Sequence, residues 1–296
     1  GDLQGLISEL DYLDSLGIDG IWLMPVTESA DNDHGYSVID YRDIESDYGD
    51  LSDFQTLLTE AHARGIGVII DYVVNHSSSS NPLFLDANFA PDNDKRDWYI
   101  FSDTNPGWGP FGNAWRDSGN GDYFYGAFTG TLPDFDLSNP EVEAFHLNNL
   151  RYWLNMGVDG FRIDAAGLLF EGSTGSSAID NPENHVFLKK MLDVVDAYDN
   201  RYMVCEAPDG SAEYASADSC GNAFAFGTQW QILDSARDRS LNSGVVTQLN
   251  RDNHDRMPLF LSNHDSFAGG RPMSYLLGCG GSCNHINGSN VEGYLK

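Results

Sequence analysis

Basic residues are scarce in this chain. Lys and Arg number 16 against 45 Asp and Glu, a formal charge of −29. That balance argues against phosphate backbones and anionic lipid surfaces, so neither nucleic acid nor membrane is an expected partner. Long apolar runs are also missing, and no stretch approaches the ~20 apolar residues a bilayer-spanning helix needs. Cysteine is limited to Cys205, Cys220, Cys279 and Cys283, with no C-x-x-C pair, so the usual zinc and dithiol motifs are excluded. No internal repeat is present, and the Ser77 to Ser80 run reads as loop.

Those cysteines leave two readings open. Cys279 and Cys283 bracket Gly280-Gly281-Ser282, a loop able to close a small disulfide, and Cys205 with Cys220 can form a second. Buried free thiols are the other reading. An even count in an acidic, lysine-poor chain leans towards an oxidising compartment, and the expected location is secreted or periplasmic. The first residue is Gly1, inside a helical pattern, so the sequence is silent on targeting. The acidity is spread along the chain, which describes a solvated surface and raises adaptation to high salt as a hypothesis.

What is present suits one large α/β domain or two smaller ones: 296 residues, 41% of them hydrophobic and 12% aromatic. Leu3 to Leu16 carries apolar residues at helical period and stops at Gly17. Ile18 to Pro25 reads as a buried parallel strand, with loop from there to about Asp50. Phe54 to Ala63 is helical, and Ile66 to Val74 is the clearest buried strand, ending in Asn75-His76. Helices are expected over Glu141 to Asn155, Pro182 to Ala197 and most of Trp230 to Leu249. Strands are expected over Val158 to Ile163, Tyr202 to Cys205 and Pro258 to Leu261, with Ala223 to Phe226 as a further candidate. Alternating strands and helices imply a parallel sheet. Residues 77–136 lose periodicity and gather Asn, Asp, Gly, Pro and aromatics. A structureless loop of that length is improbable, so the segment is expected to be a small inserted subdomain.

The chain is organised around Gly160-Phe161-Arg162-Ile163-Asp164-Ala165. An arginine and an aspartate beside Val158, Phe161 and Ile163 are expensive to bury unless they meet each other or a ligand. Two positions apart on a strand, Arg162 and Asp164 point the same way, at the carboxyl end that forms the active face of a parallel barrel. Other predicted strands also end in polar groups: Asp71 with Asn75 and His76, Glu206, and His264 with Asp265. Crowded carboxylates push one pKa up and leave another ionised, which supplies an acid and a nucleophile for one bond, as glycoside hydrolysis requires. Asp, Glu and His clusters also bind divalent cations, and on the residues alone both readings stand.

Asp71 to His76, Gly160 to Ala165, Glu206 and Phe260 to Asp265 resemble, in order, the four strand-end motifs of the α-amylase family of glycoside hydrolases. Gly17 to Pro25, His34-Gly35-Tyr36 and Leu132-Pro133-Asp134-Phe135-Asp136 support the resemblance, which runs over nearly the whole chain. It implies a TIM-type (β/α)8 barrel over residues 1–76 and 137–296, with 77–136 as an insert after the third family strand. On this reading the chain begins after the first family strand and stops before the eighth. The expectation is then a barrel lacking those strands, in a piece of a longer protein or a shortened relative.

The resemblance also implies roles. Asp164 is the nucleophile that forms a covalent glycosyl-enzyme, Arg162 holds it ionised, and Glu206 is the acid and base. Asp265 is the third carboxylate, His76 and His264 hydrogen-bond the same sugar, Tyr36 stacks on it, and Asp71 supports Arg162. Asp33 resembles the aspartate with which exo-acting relatives hold a terminal glucose. Cys205 stands where many relatives have glycine and reads as structural. The chemistry needs no cofactor. Calcium candidates are Asn75 and Asp2, although Leu168 replaces the histidine whose backbone often helps to hold calcium. Ala165 resembles enzymes cutting α-1,4 links. The expected function is cleavage of α-1,4 bonds in starch or maltooligosaccharides. An α-glucosidase, a 4-α-glucanotransferase and a non-catalytic carbohydrate-binding protein are the alternatives.

Overall fold

A computed structural model describes residues 2–30, 34–89, 93–172, 179–238, 240–241, 243–251 and 255–265. The chain divides into two compact units, one of residues 1–206 and 218–220, the other of 207–217 and 221–296.

In the first unit the opening helical pattern becomes two short helices, α1 (Leu3–Ser8) and α2 (Leu10–Ser15), which meet at Glu9. Strand β1 (Gly20–Leu23) follows. The stretch read as loop contains an antiparallel pair, β2 (Thr27–Ser29) and β3 (Val38–Ile44), whose register shifts twice. Helix α3 (Leu51–Ala63) begins with a capping box in which Asp50 accepts from Ser52 and Asp53 while Asp53 accepts from Asp50. Its Phe54, Leu57, Leu58 and Ala61 recur at helical spacing and are buried, each large side chain contributing about 1.5–3 kcal/mol.

Strand β4 (Gly67–Tyr72) is the predicted core strand. Beyond it the segment 77–136 holds helix α4 (Pro82–Phe89) and strands β5 (Phe101–Ser102), β6 (Trp115–Asp117) and β7 (Tyr123–Tyr125). The three strands form their own antiparallel sheet, in the order β5-β7-β6. Ala114, Trp115, Tyr125 and Ala127 pack beside it as a separate small core. Helix α5 (Pro140–Met156) has proline in its first turn, Asn139 as cap and left-handed Gly157 as its stop. Then come β8 (Gly160–Ile163), α6 (Pro182–Asp196) and β9 (Tyr202–Cys205).

Strands β1, β4, β8 and β9 form one parallel sheet in that order, with α3, α5 and α6 in the three crossovers. Every residue of β8 is buried, as expected of a strand covered on both faces. Its close approach to β9 depends on Gly160, where a Cβ would lie 1.7 Å from the Tyr202 carbonyl oxygen.

In the second unit lie helices α7 (Ser211–Tyr214), α8 (Thr228–Asp238) and α9 (Ser243–Arg251). The predicted strands over Ala223 to Phe226 and Pro258 to Leu261 do not form as strands. The two segments meet through Ala223 N to Arg256 O and Ala225 N to Pro258 O, both 3.1 Å, while Leu259 and Leu261 stay about half exposed. Among the described residues no helix is long and apolar enough to cross a membrane.

Candidate active site

Three neighbouring strands of the first unit deliver charge to one point. Arg162, on β8, is 1% exposed, and a cation so buried must be compensated. Its Nη1 donates to Asp71 Oδ1 and Oδ2, at 2.8 and 3.0 Å, and to Asp164 Oδ1 at 2.5 Å. Its Nη2 lies 2.9 Å from Glu206 Oε2. The three carboxylates hold the guanidinium protonated against the cost of burial. Registers Asp71↔Arg162 and Arg162↔Val204 explain the convergence, because adjacent parallel strands place their carboxyl ends side by side.

The backbone adds a link between the two groups expected to do chemistry. Directly after Asp164, Ala165 takes a left-handed conformation (φ 48°, ψ 40°), which is costly for a residue with a Cβ. From there its N–H donates to Glu206 Oε2 at 3.1 Å. Asp164 and Glu206 are 7% and 6% exposed, nearly enclosed.

Around this cluster stand Tyr36 and His76. Tyr36 OH donates to Asp71 Oδ2 at 3.1 Å. The turn that delivers it needs Gly35, with φ 98° and Pro25 O only 2.4 Å from where a Cβ would be. Burial pushes Asp71 up, to about 7, and the Arg162 charge pulls against it. His76 is buried, which lowers its pKa. Its Nε2 makes no well-formed hydrogen bond, while its carbonyl accepts from Tyr41 OH at 2.7 Å. Two aromatics that the sequence pattern did not single out also belong here. Trp22 on β1 carries the Arg162 guanidinium over its ring, 5.2 Å from the centroid, and Phe128 lies edge-on to His76 at 5.3 Å. Apolar strand residues and insert aromatics are usually core, so neither carried a distinguishing signal.

The structure thus brings Tyr36, Asp71, His76, Arg162, Asp164 and Glu206 into one neighbourhood. His264 and Asp265 lie in the second unit, where His264 Nε2 is 3.3 Å from Asp265 Oδ2 and Asp265 N donates to Asn263 Oδ1 at 2.8 Å. Asp33, Cys279 and Cys283 lie outside the described residues. Cys205 and Cys220 form a disulfide, which is the structural role read for Cys205.

The two calcium candidates make contacts within the protein. Asn75 donates its amide nitrogen to Asp134 Oδ2 at 3.0 Å, and Asp134 Oδ1 is occupied by Ala127 N. Burial raises Asp134 to about 8, and Asn75 Oδ1 is buried without a hydrogen bond. Asp2 caps α1 instead, accepting from Gly5 N at 2.6 Å. Among the described residues no group of three or more His, Cys, Asp or Glu side chains is arranged to hold a metal ion.

A parallel α/β sheet whose strand ends converge a nucleophile-type aspartate, a glutamate and an arginine defines a class of barrel hydrolases and transferases. The family model for the α-amylase catalytic domain matches residues 1–268. The trehalose synthase/amylase TreS of Mycobacterium tuberculosis is 35% identical over 286 residues, 90% of this chain and 47% of that protein. An oligo-1,6-glucosidase of Parageobacillus thermoglucosidasius is 35% identical over 67% of this chain and 40% of its own length. Among solved structures, the trehalose-6-phosphate hydrolase of Bacillus licheniformis aligns with a TM-score of 0.77 at 29% identity, covering 90% of this chain and 54% of that one. The chain belongs to the α-amylase family of glycoside hydrolases, and its fold class is that family's TIM-type α/β barrel. It spans about half the length of the curated relatives it matches.

Proposed function

We propose that this chain acts on α-glucosidic bonds with retention of configuration, through a covalent glycosyl-enzyme on Asp164. The observation that carries the proposal is the sharing of one guanidinium by two carboxylates, Asp164 on Nη1 and Glu206 on Nη2. The shared guanidinium fixes both carboxyl groups beside one another, so that a nucleophile and an acid can face the same bond. Asp164 attacks the anomeric carbon while Glu206 protonates the departing oxygen. Glu206 then takes a proton from the incoming water or sugar hydroxyl, which attacks the same carbon and frees Asp164. His76 donates from Nε2 to a hydroxyl of the bound ring, and Tyr36 offers it a face.

Within that class we assign the α-1,4 bond of maltooligosaccharides or starch, on the resemblance carried by Ala165. Relatives named trehalose synthase, oligo-1,6-glucosidase and α-glucosidase favour a second reading, hydrolysis or transfer on short α-glucosides. The two are separated by product analysis on starch, maltotriose, isomaltose and trehalose, with and without an acceptor sugar, beside the Asp164→Asn variant. Release from starch and maltotriose alone supports the first reading. Turnover of isomaltose or trehalose supports the second. Equal products from Asp164→Asn and wild type would remove Asp164 from the chemistry.

A further inference from the structure

We propose that the Cys205–Cys220 disulfide, with Ser219 beside it, positions the general acid Glu206. The inference rests on the catalytic reading above and adds residues that the reading does not use. Glu206 stands at a point where the chain departs: residues 207–217 belong to the second unit, 218–220 return to the first, and 221 onward leaves again. A three-residue return is too short to hold itself by secondary structure. Side-chain links hold it. Cys220 is bonded to Cys205, the last residue of β9 and the neighbour of Glu206, and both cysteines are fully buried. Ser219 Oγ is hydrogen-bonded to His185 Nδ1 on α6 at 2.7 Å.

The Glu206 carboxylate is met by Arg162 Nη2 and Ala165 N, and its backbone is held by single contacts at the end of a four-residue strand. Its N–H donates to Ile163 O at 2.9 Å, and its carbonyl accepts from Ala166 N at 3.0 Å. Strand ends open more readily than strand centres. The disulfide fixes the residue directly before the acid, so it limits rotation of the backbone that aims the carboxyl. Asp164 shares Arg162 with Glu206, but its backbone is tied to a different strand, by its N–H on Tyr72 O at 3.2 Å, and neither cysteine of the disulfide is its neighbour in the chain. Opening the disulfide is therefore expected to release the acid and spare the nucleophile. Displacement of a catalytic group by about 1 Å can cost 10²-fold in rate.

The experiment compares the full chain with its Cys205→Ala/Cys220→Ala variant in two ways. Amide hydrogen exchange is followed at Glu206 and Ala166, with Asp164 as the internal control. Exchange at the first two is expected to quicken at least about tenfold while Asp164 is unchanged. Separately, kcat/KM is measured on α-glucosyl fluoride, whose leaving group needs no proton, and on a maltooligosaccharide, whose leaving oxygen does. The second is expected to fall about tenfold or more and the first by less than about threefold, since only the second needs the acid. Parallel losses on both substrates, or exchange that quickens equally at Asp164, would overturn the proposal in favour of a merely stabilising disulfide. Should the double variant not fold, Ser219→Ala, which keeps the disulfide and breaks the link to His185, must show the same selective pattern at smaller amplitude. Uniform behaviour there overturns the proposal. A wild-type chain that turns over neither substrate sinks the catalytic reading, and the exchange pattern still decides whether the disulfide holds residue 206.

Discussion

Arg162 donates to both carboxylate oxygens of Asp71 from a single nitrogen, Nη1, and the whole contact is closed to solvent. The same nitrogen reaches Asp164, so Asp71 braces the cation that holds Asp164. Removing the cation and removing the brace should then differ. Arg162→Met leaves three buried carboxylates without compensation, and breaking a buried pair from one side costs about 3–5 kcal/mol. Asp71→Asn keeps the shape and leaves Arg162 with two anionic partners. The expected order in urea midpoint is wild type, Asp71→Asn, then Arg162→Met well below. Equal midpoints for the two variants would show that the cation is not what the carboxylates depend on.

Asp164 and Glu206 share one guanidinium, on Nη1 and Nη2, and a glycosyl-enzyme formed on Asp164 and opened by water from the opposite face keeps the configuration of the bond. The first-formed product of an α-glucoside should therefore be the α anomer. Proton NMR within the first minutes of reaction, before mutarotation, reads this directly. A β product would require a water between the two carboxylates and would exclude the covalent intermediate.

Much of this arrangement was legible because charge inside an apolar strand has few physical explanations. Arg162 and Asp164, interleaved with Phe161 and Ile163, had to be paired, and alternation alone predicted their common face. The hairpin of β2 and β3 was not legible. Its burial along Val38, Ile39, Asp40 and Tyr41 does not alternate, since two register shifts interrupt the pairing and no two-residue turn marks the reversal. Pro258 to Leu261 misled in the opposite direction, being apolar enough for a strand but held by isolated hydrogen bonds. The Cys205–Cys220 pairing stayed open for a further reason: spacing along the chain does not show which strand end a returning segment reaches.

His146 on α5 is buried among Tyr41, Tyr72, Phe135 and Phe145, with Nδ1 hydrogen-bonded to Tyr72 OH at 2.9 Å. Burial lowers its pKa from 6.5 to about 3. The folded state thus prefers the neutral ring. This contribution is complete above pH 6.5, where the unfolded chain is also neutral, and is lost as pH falls from 6.5 towards 3. Across that window one proton difference gives a slope of about 1.4 kcal/mol per pH unit. His146→Gln should be less stable at pH 7.5, but its stability should fall less steeply on acidification. Parallel curves for the two proteins, from urea melts between pH 4 and 7.5, would remove His146 as the source of the slope.

A formal charge of −29 on 296 residues implies self-repulsion that salt should screen, with a Debye length falling from about 10 Å at 0.1 M to 3 Å at 1 M. The melting temperature is expected to rise between 0.1 and 1 M NaCl. If it does not change, the acidic surface is merely solvated and the proposal of salt adaptation is lost.

At Gly160 the backbone of β8 leaves no room for a Cβ against β9, and Asp164 and Glu206 directly follow these two strands. A Cβ at 1.7 Å from Tyr202 O, with the Tyr202 backbone nitrogen at 2.9 Å, has no flexible neighbour to displace, so one strand must move. Overpacking that forces side-chain and backbone shifts costs about 1–3 kcal/mol and occasionally more. Gly160→Ala is therefore expected to lower the urea midpoint strongly. It should also lower turnover in the fraction that still folds, because separating the strands alters the register Ile163↔Cys205 that brings the two carboxylates to one guanidinium. A useful contrast is Gly65→Ala. It meets no atom within 4 Å, and its left-handed φ of 75° should cost only about 1 kcal/mol, with turnover per folded molecule intact. If both substitutions cost the same in stability and leave turnover unchanged, the close approach at Gly160 does not set the geometry of the site.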